Sequence, residues 1–174
     1  MRLARTGSRI FGMAAAMSIS LATGAAAAGE NLYAAANGSF DRDIAGWTEA
    51  SFGTVSHDAK EGALAGSGPE SSFSVPGPCV EAVPATVYTA SVRVKLTSGT
   101  TYVCGFSVFQ YTDAACEEGS KPLFAEATLV EADWQTVTAS GSSAAGTRSL
   151  RLLLNCSGEK GFAVRFDDVS LSAP

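Results

Sequence analysis

Few groups in this chain are equipped for covalent chemistry. His57 is its one histidine, so a Ser-His-Asp or His-Asp catalytic group would have to use it. His57-Asp58 sits in the polar stretch 56–62, and no nucleophile motif of the G-x-S-x-G kind accompanies it. Paired carboxylates of the kind that cleave glycosidic bonds would have to come from Glu49, Glu81, Glu126 or Asp168, and nothing in their spacing selects two of them. An enzyme is therefore not expected. The four cysteines, Cys79, Cys104, Cys116 and Cys156, contain no C-x-x-C pair, so the close spacing of zinc ligands is missing. Their even number reads instead as two disulfides made in an oxidising compartment.

The residues that stand out for non-covalent chemistry are aromatic. Phe109 and Tyr111 share the parity of Val103, Gly105 and Ser107, opposite to Cys104, Phe106 and Val108, so on a regular strand they face away from the core. Exposed aromatics on a sheet face form a flat stacking platform, unless a loop or a neighbouring strand covers them. Arg151 and Asn155 lie on the outward parity of another strand and would supply hydrogen-bonding groups beside it.

The elements that position these residues follow from composition and pattern. The chain has 174 residues, 46% hydrophobic and 17% charged, with 18 glycines, which is globular composition rich in strand and turn formers. Arg2, Arg5 and Arg9 followed by the apolar stretch 10–21 and by Ala26-Ala27-Ala28 predict a bacterial-style secretory signal peptide over 1–28. The mature domain then covers 29–174, and the protein is expected to be secreted or periplasmic. The apolar stretch is short of the roughly 20 residues that a membrane-spanning helix needs, and no later stretch reaches that length. Removing the signal changes 12 basic against 17 acidic residues into 9 against 17, a net charge of −8. With the remaining cations scattered singly, neither nucleic acid nor an anionic membrane surface is an expected partner.

From Asn31 onward short β-like runs alternate with turn clusters. Strands are predicted over 46–52, 71–75, 87–96, 101–111, 123–130, 134–139, 149–155 and 162–171, with no amphipathic helix between them. The fold class is all-β, a two-sheet antiparallel sandwich. Tyr88, Ala90, Val92 and Val94 form one inward row, and Leu150, Leu152, Leu154 and Cys156 another. Tyr102 and Phe106 are assigned to the inward parity of their strand, and Ser149 to the outward parity of its own.

Five motifs in order carry a resemblance. They are Asn37-Gly38-Ser39-Phe40-Asp41, Gly46-Trp47, the strand Tyr88 to Lys95 after a turn containing Pro84, Trp134-Gln135-Thr136-Val137, and Phe166-Asp167-Asp168-Val169-Ser170-Leu171. Together, from Asn31 to Leu171, they resemble the CenC-type carbohydrate-binding modules grouped with families 4, 9 and 22. The resemblance implies a galactose-binding-like jelly roll whose sheet face, here bearing Phe109, Tyr111, Arg151 and Asn155, binds a polysaccharide or oligosaccharide without hydrolysing it. It also implies a structural calcium ion held by Asp41 and Asp167 with carbonyls near Asn37 and Lys60, although Asp41 stands where the family often has Glu. A change of parity between Val164/Phe166 and Val169/Leu171 predicts a bulge at Asp167-Asp168. Trp47 and Trp134 are read as core-packing residues, and the protein as a monomer. The alternative is a secreted sandwich that binds another protein or serves the cell envelope.

In that jelly roll the cysteines are expected to pair as Cys79 with Cys116 and Cys104 with Cys156. The strand from Cys104 to Tyr111 runs roughly 23 Å, and the five residues back to Cys116 return at most about 18 Å when fully extended. Cys104 and Cys156 both lie on inward parities of strands that neighbour each other.

Overall fold

A computed structural model describes residues 29–47 and 49–174. The predicted signal peptide, 1–28, lies outside the described residues. The strands are β1 (Thr54–Asp58), β2 (Ala63–Gly68), β3 (Ser72–Pro76), β4 (Val80–Glu81), β5 (Val87–Ser98), β6 (Thr101–Tyr111), β7 (Lys121–Thr128), β8 (Gln135–Ser142), β9 (Ser149–Gly158) and β10 (Phe162–Ser172). They form two antiparallel sheets. One has the order β1-β2-β10-β5-β8, and the other β3-β9-β6-β7 with β4 added beside β9. Among the described residues no helix is long and apolar enough to cross a membrane.

The period-2 rows meet between the sheets. Tyr88, Ala90, Val92 and Val94 of β5 face Phe106 and Val108 of β6 and the leucines of β9 within one buried cluster. Segment 31–47 closes one end of the sandwich. Its Leu32 N–H bonds the Leu171 carbonyl at 2.8 Å, and it delivers Tyr33, Phe40 and Trp47 to the core. Both disulfides form as expected, Cys79–Cys116 and Cys104–Cys156. The predicted bulge is present too: β10 slips register against β5 between Asp167 and Ser170.

Several expectations are corrected. Among the described residues of 46–52 none belongs to a strand; Phe52 alone makes a bridge, to Ser74. The strands β1, β2 and β4 were not predicted. In β2 the reason is physical: a Cβ on Gly66 would lie 2.6 Å from the Phe73 ring, and one on Gly68 would lie 2.2 Å from Phe162. Beyond Leu64 the inward positions of this strand carry no side chain, because rings from β3 of the facing sheet and from β10 fill their places. Tyr102 is 59% exposed rather than inward, because β6 is irregular against β9 between Thr101 and Val103. Trp134 shares the parity of Thr136, which pairs with the outward Arg93. Its ring therefore lies on the outer face of its sheet, 4.8 Å from the Arg93 guanidinium carbon and 4.9 Å from Lys95 Nζ. Ser149 is buried although its parity is outward, because Cys116 and the Asp113 carbonyl cover its hydroxyl.

Candidate functional site

Register places the sequence-selected residues on one surface. In the β6–β9 ladder Phe109 pairs with Arg151, Ser107 with Leu153 and Gly105 with Asn155. Directly paired residues project to the same side. Because Val108, Phe106, Leu152 and Leu154 are buried, Phe109, Tyr111, Arg151 and Asn155 all belong to the outer face. None of the four is fully exposed; each is half-buried in the surface it forms.

Arg151 is the centre of this surface. Its guanidinium carbon stands 5.9 Å from the centre of the Tyr111 ring. It borders two hollows. One, of about 290 Å³, is lined by Ser51, Pro76, Phe109, Tyr111, Ser120, Arg151 and Leu153. The other, of about 260 Å³, is shared with Glu49, Pro76, Gly77 and Pro78 among others. Asn155 lies outside both, and its Nδ2 donates to Ser107 Oγ at 3.2 Å. The support beneath is rigid. Tyr33 Oη donates to the Pro78 carbonyl at 3.0 Å and accepts from the Leu152 N–H at 2.9 Å, and burial pushes its phenol well above the usual range. The Cys79–Cys116 bond ties the chain after Pro78 to the loop after Tyr111.

Sequence reasoning missed Phe52. It is 64% exposed, and its bridge to Ser74 continues a row that crosses the sheet through Asn155, Gly105 and Ala127. Paired positions share a face, so Phe52 stands at the rim of the same surface as Phe109. Three strand spacings separate them crosswise, about 14 Å. The outward positions between them are Ser74 of β3, Leu153 and Asn155 of β9, and Gly105 and Ser107 of β6. No feature of the sequence alone links Phe52 to this face; the link is a single pair of hydrogen-bonded residues.

The other candidates go elsewhere. Glu126 lies on β7 and Asp168 on β10, in different sheets, and Glu81 pairs with Ser149. His57 is half-buried, and its Nε2 donates to the Phe40 carbonyl at 2.8 Å, which makes it a tie between β1 and the N-terminal segment. Among the described residues no group of three or more His, Cys, Asp and Glu side chains is placed to share a metal ion.

Asp167 is close enough to Asp41 to feel its charge, although burial is the larger influence on it. Burial raises the Asp167 carboxyl above its ordinary range, and the negative charges of Asp168 and Asp41 push it further the same way. Hydrogen bonding from the Asp168 N–H and the charge of Arg93 oppose that shift. The turn between β1 and β2 comes against Asp41, since a Cβ on Gly62 would sit 3.6 Å from Asp41 Oδ1. Asn37, Phe40 and Asp168 hold left-handed φ angles of 59°, 52° and 48°, conformations that cost energy in non-glycine residues unless the surroundings fix them.

Comparisons with known proteins agree with this architecture. No protein-family model and no curated protein sequence matches the chain. Solved structures do. A family 4 carbohydrate-binding module is similar at a TM-score of 0.59 with 18% identity, over 79% of this chain and 98% of that one. The N-terminal cellulose-binding domain of β-1,4-glucanase C from Cellulomonas fimi gives 0.59 and 19% over 79% and 95%. The CBM22-1 xylan-binding domain of Xyn10C from Paenibacillus barcinonensis gives 0.53 and 20% over 86% and 97%. Others are parts of enzymes: the chain spans 26% of an α-L-arabinofuranosidase, for example. The fold is thus the jelly roll of these carbohydrate-binding modules.

Proposed function

We propose that this is a secreted, non-catalytic carbohydrate-binding module that holds a polysaccharide on the outer face of the β3-β9-β6-β7 sheet. The observation that carries the reading is the convergence of Phe109, Tyr111 and Arg151 around one open hollow, with Phe52 exposed on the same face. Aromatic rings stack on the apolar faces of sugar rings, while Arg151 and Asn155 donate to hydroxyls. An aromatic contact contributes about 1 kcal/mol, so removing two should weaken binding by about 2 kcal/mol, roughly 30-fold in Kd. Replacing Phe109 and Tyr111 together with alanine should therefore abolish retention on insoluble polysaccharide while lowering Tm by only a few degrees. Unaltered retention, or an unfolded variant, would return both rings to a packing role. The exposed Tyr102, Val103 and Leu129 favour the protein-binding alternative, which gains if no polysaccharide in a pull-down series retains the protein.

Calcium forms part of the same proposal. The carboxylates of Asp41 and Asp167, with backbone carbonyls near Asn37 and Lys60, would supply oxygen ligands of the kind calcium prefers, which takes six to eight, and the turn containing Gly62 packs on Asp41. A cation would offset the burial of the Asp167 charge, the main cause of its raised pKa, and the smaller repulsion from Asp168 and Asp41. Because the folded-state pKa of Asp167 is raised, the metal-free protein gains stability from this group as pH falls and loses it as pH rises through the folded pKa. Calcium should reverse that penalty at neutral pH and lose its effect in acid, where the carboxylates protonate. Melting at pH 7 should shift upward by several degrees in millimolar calcium and back with excess chelator. An unchanged Tm would show that Asp41 and Asp167 serve only as hydrogen-bond acceptors.

A further inference from the structure

We infer that the sugar held at this face carries a carboxylate, a uronic acid residue, and that Arg151 is its counter-charge. This deepens the carbohydrate-binding reading and rests on it. Among the described residues Arg151 Nε is the buried side-chain nitrogen or oxygen that has no hydrogen-bond partner. A buried donor left unpaired is costly, and more so on a charged group. Four other cations among the described residues are paired, Arg93 with Asp167 and Asp168, Lys95 with Glu61, Lys160 with Glu70, and Arg165 with Asp58. Arg42, Lys60, Lys121 and Arg148 make no ion pair either, and what sets Arg151 apart from them is its buried Nε. No carboxylate among the described residues lies within ion-pair distance of Arg151. The hollow it shares with Phe109 and Tyr111 contains no acidic side chain at all, in a chain with 17 acids against 12 bases. Glu49 lines the second hollow together with Arg151, outside ion-pair distance of it.

The chemistry selects the ligand. A planar guanidinium matches the two oxygens of a carboxylate in a bidentate fork. Neutral hydroxyls would accept its hydrogen bonds without balancing its charge. The site is also prepared: Tyr111 lies beside the guanidinium, and Pro76 and Leu153 flank it with apolar surface, which lowers the local dielectric and strengthens the pairing. A uronate seated here would place its ring over Phe109 and Tyr111 and its carboxylate on Arg151.

The experiment compares a polyuronate with the same polymer after reduction of its carboxyl groups to alcohols, by affinity electrophoresis of the unaltered protein. Binding to the polyuronate should be ten- to a hundred-fold tighter, the range expected for charge-assisted hydrogen bonds. Arg151→Gln should erase that difference, and Arg151→Lys should restore part of it. Equal binding of both polymers, or equal binding of a sulfated polysaccharide that lacks uronate, would overturn the inference and leave the carbohydrate reading standing. Failure to retain either polymer or any neutral β-glucan or xylan would overturn both. The comparison of the two polymers needs no variant, so a misfolded substitution at Arg151 does not remove the test.

Discussion

Replacing Cys104 and Cys156 together with alanine is expected to lower stability by about 4 kcal/mol. Their bond joins positions 52 residues apart, and in the chain-entropy model a closed loop of that size constrains the unfolded chain by about this amount. The two residues are directly paired between β6 and β9 and buried in the core, so losing both sulfurs also removes packing. For a domain of this length the fall in Tm should be on the order of 10 °C. Thermal melts of the alanine pair and of the unaltered protein check it. A fall of under about 3 °C would mean that the unfolded chain is already constrained without the bond.

Trp47→Ala should cost about 4 kcal/mol, as deletion of a large buried aromatic does. Trp47 is fully buried. Its ring centroid lies 5.5 Å from that of Phe40 in an edge-to-face pair and 5.5 Å from that of Tyr33, and its Nε1 donates to the Ala36 carbonyl at 3.2 Å. Gly77 exists to admit it, since a Cβ there would meet Trp47 Cη2 at 2.6 Å. Gly77 also lines a hollow beside Arg151, so the cavity left by the ring opens under the proposed binding face. Denaturant titration should show the loss as a lower midpoint, and Trp47→Phe should recover more than half of it. A loss below about 1 kcal/mol would show that the N-terminal segment can collapse into the space.

How much of this could be read in advance depended on whether side chains or their absence carried the signal. The β6 and β10 strands announce themselves through alternating apolar residues, and parity alone put Phe109, Tyr111 and Arg151 outside. The disulfide pairing followed from chain reach and strand parity. The β2 strand was illegible because Gly66 and Gly68 are defined by rings that arrive from β3 and β10. Trp47 suggested a strand over 46–52 by its composition, yet tertiary burial of one indole decides that segment. Tyr102 was misplaced by an irregularity that no period-2 rule contains. Phe52 joins the site through one bridge to Ser74, a long-range pairing that a local pattern does not encode.

The two disulfides overlap in sequence, 79 to 116 and 104 to 156, and this sets how the molecule yields under tension. A force applied to the ends of segment 29–174 travels from Cys79 across to Cys116, back along twelve residues to Cys104, and across to Cys156. The rest of the segment between Cys79 and Cys156 is slack loop that cannot be drawn out. The extensible contour falls from about 510 Å for 146 residues to about 280 Å. Phe109 and Tyr111 sit on the stretch that bears the load, whereas Arg151 and Asn155 sit on a shielded loop. Under load the domain would thus stop lengthening early, with covalent bonds taking up the strain.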